Sequence, residues 1–291
     1  MAITAALVKE LRDRTGAGMM ECKKALTETN GDLEAAIEEM RKSGLAKADK
    51  KAGRIAAEGL IGFKASDDNK TAVIVEVNCE TDFVTKGDDF KNFVDGVADC
   101  ILENKPADVD ALLALTMAGG STVEDTRKNL IAKVGENMSV RRFEIIENAD
   151  VIGSYKHGER IAVLVEMTGG DEALGKDIAM HVAASRPVCV SEAEVPQDAL
   201  EKEKVIFSAQ AAESGKPADI IEKMVEGRIK KFLKEVTLLG QPFVKNPDET
   251  VEQLLKSNNA TVKRFIRFEV GEGIEKKEEN FADEVMAQVK G

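Results

Sequence analysis

The chain is 291 residues long, with 41 basic and 53 acidic residues, a net charge of −12 and a pI near 5.0. That length accommodates several modest cores, and the acidic balance argues against phosphate-backbone binding as the main activity. Cys22, Cys79, Cys100 and Cys189 are too scattered for a metal knuckle or a disulfide framework and read as reduced thiols. The first residues lack the basic and apolar regions of a signal peptide, and no apolar run approaches a membrane span, so a cytoplasmic protein is expected.

Thr4 is placed to cap a helix carrying Leu7, Val8 and Leu11, which Gly16 and Gly18 end. Two short helices follow, over residues 19–26 and 33–40, with Asn30-Gly31-Asp32 supplying a turn and the next cap. Met19 and Met20 read as core, yet adjacent helical residues point ~100° apart, so a thin three-helix bundle cannot bury both equally and one is available to a partner. The run Lys47-Ala48-Asp49-Lys50-Lys51-Ala52-Gly53-Arg54 reads as a solvated basic linker that few contacts cross.

Beyond it lies an internal repeat. Ala72-Val73-Ile74-Val75-Glu76-Val77 recurs as Ala162-Val163-Leu164-Val165-Glu166-Met167, each preceded by a second strand and a polar hairpin loop, Asp67-Asp68-Asn69 or His157-Gly158-Glu159. Each copy continues into a helix and closes on a similar strand, Asn137 to Phe143 in one and Asn259 to Phe265 in the other. The fold class is therefore α+β, a duplicated core with small antiparallel sheets.

Between the first strand pair and its helix lies Asn78-Cys79-Glu80-Thr81-Asp82-Phe83-Val84. Phe90, Phe93, Val94, Val97 and Ile101 then repeat at helical spacing behind Asp88 or Asp89, either of which could be the cap. One reading of the turn has Thr81 or Asp82 capping a short helix while Phe83 staples it to the core. The other has an exposed Asp-Phe pair aimed at a partner, a carboxylate beside an apolar wedge.

The second copy is longer by roughly thirty residues, enough for two short helices. Pro196 opens the first, with Leu200, Phe207 and Ala211 on one stripe; Ser214-Gly215-Lys216-Pro217 turns the chain; Ile221, Val225, Phe232 and Val236 mark the return. A coiled-coil-like hairpin is expected. After Gly271-Glu272-Gly273, the spacing of Phe281, Val285 and Val289 predicts a terminal helix.

Catalytic chemistry is sparse. His157 sits in a hairpin loop and His181 on an apolar helix, where it reads as a satisfied histidine. The stretch Gly170 to Asp177 imitates a phosphate loop, but Asp177 replaces the required hydroxyl, and Asp171 and Glu172 would repel phosphates.

Residues Leu11 to Leu26, containing Thr15-Gly16-Ala17-Gly18-Met19-Met20-Glu21-Cys22-Lys23-Lys24, together with Glu76 to Val84, closely resemble the bacterial elongation factor Ts family. The resemblance continues through Gly240-Gln241-Pro242-Phe243-Val244 and Phe265 to Gly273. It implies a ubiquitin-associated-like head with linker at 1–54, a core N-subdomain at 55–147, a core C-subdomain at 148–192 and 238–270, a coiled-coil hairpin at 193–237 and a C-terminal helical module at 271–291.

It also implies a guanine-nucleotide exchange factor that binds elongation factor Tu in its GDP-bound and nucleotide-free states. No cofactor, metal, catalytic residue or covalent chemistry is expected, and neither nucleic acid nor membrane is a partner. By the resemblance, Thr81, Asp82, Phe83 and Val84 dislodge Mg²⁺ from the partner, with Phe83 as the wedge, and Arg12, Met19, Met20, Lys23 and His157 make further contacts. Thr85 departs from the family, which usually has a smaller residue there. The alternative is an interaction scaffold without exchange activity.

Overall fold

The computed structural model describes residues 3–213 and 215–275. Ser214 and the helix expected around Phe281, Val285 and Val289 lie outside them. The fold is α+β, with two compact units: one built from the described residues within 1–62, 75–143 and 270–291, the other from 63–74 and 144–269.

The first unit opens with α1 (Ala5–Thr15), α2 (Met19–Glu28) and α3 (Leu33–Lys51). Thr4 accepts from the Leu7 N–H and Asp32 from the Ala35 N–H, while Gly16 ends α1 at φ +67°. Val8, Leu11, Cys22, Leu26 and Ala36 bury between the helices. Here the structure departs from the linker reading, because α3 runs on through Lys51. It packs on α7 (Val123–Val134), a helix whose three buried residues are too few to announce it in sequence. Arg41 pairs with Asp125 at 3.4 Å, Lys128 with Asp49 at 3.0 Å, and Lys51 Nζ donates to the Gly135 carbonyl at 2.6 Å. The basic run that looks solvated in sequence is thus partly occupied by α7 and the residues just beyond it.

Strands β1 (Glu58–Ala65), β2 (Ala72–Cys79) and β3 (Met138–Ile146) form a sheet in that order, and β4 (Val151–His157), β5 (Ile161–Thr168) and β8 (Thr261–Glu269) form its counterpart, antiparallel throughout. The repeat extends beyond the strands to their charges. Glu76 pairs with Arg141 and Arg142, at 3.1 and 2.7 Å, and Glu166 pairs with Lys263 and Arg264, at 3.3 and 2.9 Å. Burial alone would raise the Glu76 carboxyl's pKa, but the Gly271 N–H, Asn78 and Arg142 outweigh it and hold the pKa below the usual range. The Gly271 N–H reaches Glu76 at 2.8 Å, so the chain leaving β8 returns to the first unit on a buried carboxylate.

Each copy also lays its helix on a strand glycine. A Cβ on Gly62 would lie 2.8 Å from Val94 of α5 (Asp88–Asn104), and one on Gly153 would lie 2.1 Å from the Gly175 carbonyl of α8 (Glu172–Ser185). Helix α5 buries its expected apolar stripe, but Gly87 occupies the N-cap, and Asp88 and Asp89 fall in the first turn. They favour that end through the helix dipole. Helix α6 (Val109–Ala114) lies between α5 and α7.

In the second copy, α9 (Gln197–Ala212) and α10 (Ala218–Val236) form the inserted hairpin. Phe207 meets Phe232 edge-on at 6.5 Å, and Arg228 donates to Gln210 at 2.6 Å, pairings that run in opposite chain directions. The chain then passes through β6 (Pro242–Phe243), β7 (Asn246–Thr250) and α11 (Val251–Ser257), three elements the sequence pattern does not mark. Gly240-Gln241-Pro242-Phe243-Val244 packs around buried His181: Gln241 Oε1 lies 2.9 Å from Nε2, and the Val244 N–H donates to Nδ1 at 3.1 Å. A donor at Nδ1 leaves that nitrogen as acceptor, so the ring is neutral with its proton on Nε2. Burial lowers its pKa, against a smaller upward pull from Gln241.

Two outcomes follow. Gly153→Ala forces a methyl group into the α8 backbone and should destabilise the chain by ~1–3 kcal/mol, read by circular dichroism melting; an unchanged melt would mean that helix and strand can separate freely. Because His181 takes its proton at lower pH when folded, the unfolded chain binds more protons just below the ordinary imidazole range, and stability falls there as pH drops. The melting temperature of the wild-type chain should therefore fall more steeply than that of His181→Gln between about pH 7 and pH 5.

Candidate functional site

Strand β2 ends at Cys79, and α4 (Asp82–Thr85) is a single helical turn between it and α5. Thr81 holds the N-cap position with extended backbone, φ −127° and ψ 156°, yet its side chain does not cap the helix. Its N–H and its hydroxyl instead donate to the two carboxylate oxygens of Glu136, at 2.9 and 2.8 Å. Next along the chain, the Asn137 N–H donates to the Glu80 carboxylate. Two adjacent pairs, 80–81 and 136–137, therefore exchange amide donors for carboxylate acceptors. Charge-assisted bonds of this kind are about twice as strong as neutral ones.

The same corner reaches the end of the head. The Asn137 side-chain amide donates to the carbonyls of Arg54 at 2.8 Å and Ala52 at 3.4 Å, and the Arg54 guanidinium lies 3.5 Å from Glu80. Lys133, at the end of α7, pairs with Asp89 of α5 at 2.7 Å and passes close over Gly16, where a Cβ would lie 3.1 Å from its side chain. Gly135, between these residues, is left-handed at φ +91°, which turns the chain from α7 toward β3.

On this brace the turn divides its apolar residues. Val84 is buried, whereas Phe83 is 77% exposed. The staple reading of Phe83 is thereby corrected, since Val84 takes the anchoring role one residue on and leaves the ring outside. Thr85 donates its hydroxyl to the Asp82 carbonyl at 2.7 Å, so its polar group is satisfied within the turn. Lys86 Nζ lies 2.9 Å from the Asp82 carboxylate and 5.0 Å from the Phe83 ring centroid. Both charged groups are more than half exposed, so this ion pair is screened and worth ~1 kcal/mol or less. It orients the carboxylate beside the ring without fixing either firmly.

The turn is poor in reactive chemistry. The Cys79 thiol donates to the Thr81 carbonyl at 3.1 Å, and burial, reinforced by the Glu136 and Glu58 carboxylates, pushes its pKa up to about 12. Among the described residues no group of three or more His, Cys, Asp or Glu side chains could hold a metal. What the turn offers is an apolar ring beside a carboxylate.

The head presents Arg12, Met19, Met20 and Lys23 at its surface. Both methionines are exposed, Met19 at 54% and Met20 at 77%, so the core reading fails for the pair together. His157 ends β4 in the second unit, exposed, with Nδ1 3.1 Å from the Tyr155 hydroxyl. The phosphate-loop imitation dissolves: Asp171 caps α8 by accepting from the Leu174 N–H at 2.8 Å, Gly175 packs on Gly153, and Asp177 pairs with Lys245 at 2.6 Å. A carboxylate already fills the amide site that a phosphate would need. Glu136 and Asn137 were invisible in sequence, lying 55 residues or more from their partners.

The elongation factor Ts family model matches residues 80–272. An elongation factor Ts from Thioalkalivibrio sulfidiphilus is 67% identical over 293 residues, covering 100% of both chains. One from Methylococcus capsulatus is 66% identical, covering 100% of this chain and 99% of its own, and one from Legionella pneumophila is 59% identical, covering 99% of each.

Phe83→Ala should leave thermal stability within ~0.5 kcal/mol of wild type, as for an exposed side chain, whereas Val84→Ala should cost ~1.5 kcal/mol. Chemical denaturation of the two variants tests this division, and a large loss for Phe83→Ala would return the ring to the core.

Proposed function

The chain belongs to the elongation factor Ts family, and from that membership we propose that it promotes GDP release from elongation factor Tu in the cytoplasm. The observation that carries the reading is the exposed Phe83 ring, held beside Asp82 on a one-turn helix anchored by Val84 and Glu136. Aromatic side chains dominate binding hot spots, and this ring is presented beside a carboxylate on a turn anchored from behind. On docking, Phe83 enters between the partner's helices. Asp82 and its neighbours disturb the Mg²⁺ site, and the bound nucleotide loses its metal.

Exchange of this kind needs no covalent step. The factor binds the nucleotide-free partner more tightly than the GDP-bound one, and the coupling is reciprocal, so nucleotide binding expels the factor in turn. Arg12, Met19, Met20 and Lys23 on the head, and His157 on the core, supply additional contacts that keep the complex together while the metal site is disturbed. We read the three-helix head as ubiquitin-associated-like and α9 with α10 as a coiled-coil arm. The division into head, two core subdomains, hairpin and C-terminal module is the functional one.

Fluorescent GDP release from elongation factor Tu tests the reading. The wild-type chain should accelerate release, and Phe83→Ala and Asp82→Ala should each slow the stimulated rate by ~10-fold or more, equivalent to ~1.4 kcal/mol of barrier. Acting on one site, the two losses should not add in the double variant. Binding without acceleration would make the chain a scaffold.

A further inference from the structure

We propose that Glu136 and Asn137 are positioning residues that fix the exchange turn and the helical head to one corner, so that both contact surfaces meet the partner at a single preset spacing. The inference rests on the exchange function above and assigns its geometry to two residues that belong to neither surface.

Three observations converge on the corner. Glu136 takes both donors of Thr81, its N–H and its hydroxyl, and so sets where α4 begins. Asn137 faces the other way with its side chain, donating to the carbonyls of Ala52 and Arg54 just beyond α3, while its N–H holds Glu80. Around them, Lys51 donates to the Gly135 carbonyl, and Lys133 reaches both Gly16 of the head and Asp89 of α5. The head and the turn therefore depend on the same five-residue stretch, 133–137, through different groups.

That separation of groups predicts a separation of effects. Loss of the Glu136 carboxylate frees Thr81 and lets α4 wander, but leaves the Asn137 amide on the head. Loss of the Asn137 amide frees the exit of α3, but leaves Thr81 held. When two surfaces bind one partner, affinity depends on their spacing matching the partner's, because the second contact then forms at high effective concentration. The rate of the bound complex depends instead on the placement of the reacting element, and small displacements there are costly.

The test follows fluorescent GDP release from elongation factor Tu across a range of concentrations of the full-length chain. Glu136→Ala should lower the maximal rate by roughly tenfold while the half-saturating concentration stays within about twofold. Asn137→Ala should do the reverse, raising the half-saturating concentration by roughly tenfold with the maximal rate retained. Glu136→Gln keeps an acceptor oxygen for Thr81 and should recover most of the rate. Asn137→Ser, too short to reach both carbonyls, should behave as Asn137→Ala.

Circular dichroism fixes the folded fraction of each variant. Normal kinetics per folded molecule, the same parameter shifted at both positions, or failure of the variants at either position to reach the native signal would overturn the proposal in favour of a purely structural corner. If the wild-type chain binds the partner without accelerating release, the exchange function fails by itself. The corner is then judged by affinity: Asn137→Ala weakens binding by roughly tenfold if the inference holds and leaves it unchanged if it does not.

Discussion

A left-handed glycine, Gly135, turns the chain at the end of α7, and the residues around it hold both the end of the helical head and the turn that carries Phe83. The constraint is one of accounting for donors. A strand that ends and a helix that begins each leave amide groups that must find acceptors away from water. Here the amides of Thr81 and Asn137 are satisfied by glutamates from across the fold, Glu136 and Glu80, so neither closing element uses its own local cap. An N-cap threonine bonding its own helix would fix α4 only against itself. Bonded to Glu136, it fixes α4 against α7 and β3.

The two sheet copies show how one pattern serves different ends. Each keeps a strand glutamate paired with two adjacent basic residues on the closing strand. Glu76 is fully buried and also collects the Gly271 N–H, whereas Glu166 keeps part of its side chain exposed. The buried carboxylate must be fully satisfied, since an unpaired charge there would be expensive. That requirement ties Gly271 to Glu76, and Gly271, left-handed and set against the Ala57 carbonyl, has no room for a side chain.

Local features were legible in the sequence and distant ones were not. The caps at Thr4 and Asp32, the strand repeat, the stripe of α5 and the paired helices of the insert each depend on neighbours within a turn or two, where residue type constrains geometry directly. Residues 47–51 misled because a lysine-rich helix and a solvated linker share a composition, and only the acids and carbonyls on and beside α7 decide between them. The turn was half legible: an Asp-Phe pair at a strand-helix junction marks a place of interest, but which of Phe83 and Val84 faces inward is set by packing. Short elements such as α6, β6, β7 and α11 bury too few residues to leave a periodic signature.

The thiol behind the turn has a chemical consequence of its own. The thiolate form of cysteine is the nucleophile that attacks peroxide and alkylating electrophiles. With its pKa pushed up to about 12, Cys79 stays a neutral thiol at neutral pH. The hydrogen bond to Thr81 and the enclosing strands further shield the sulfur. The exposed ring and carboxylate of the turn are thus backed by an unreactive sulfur.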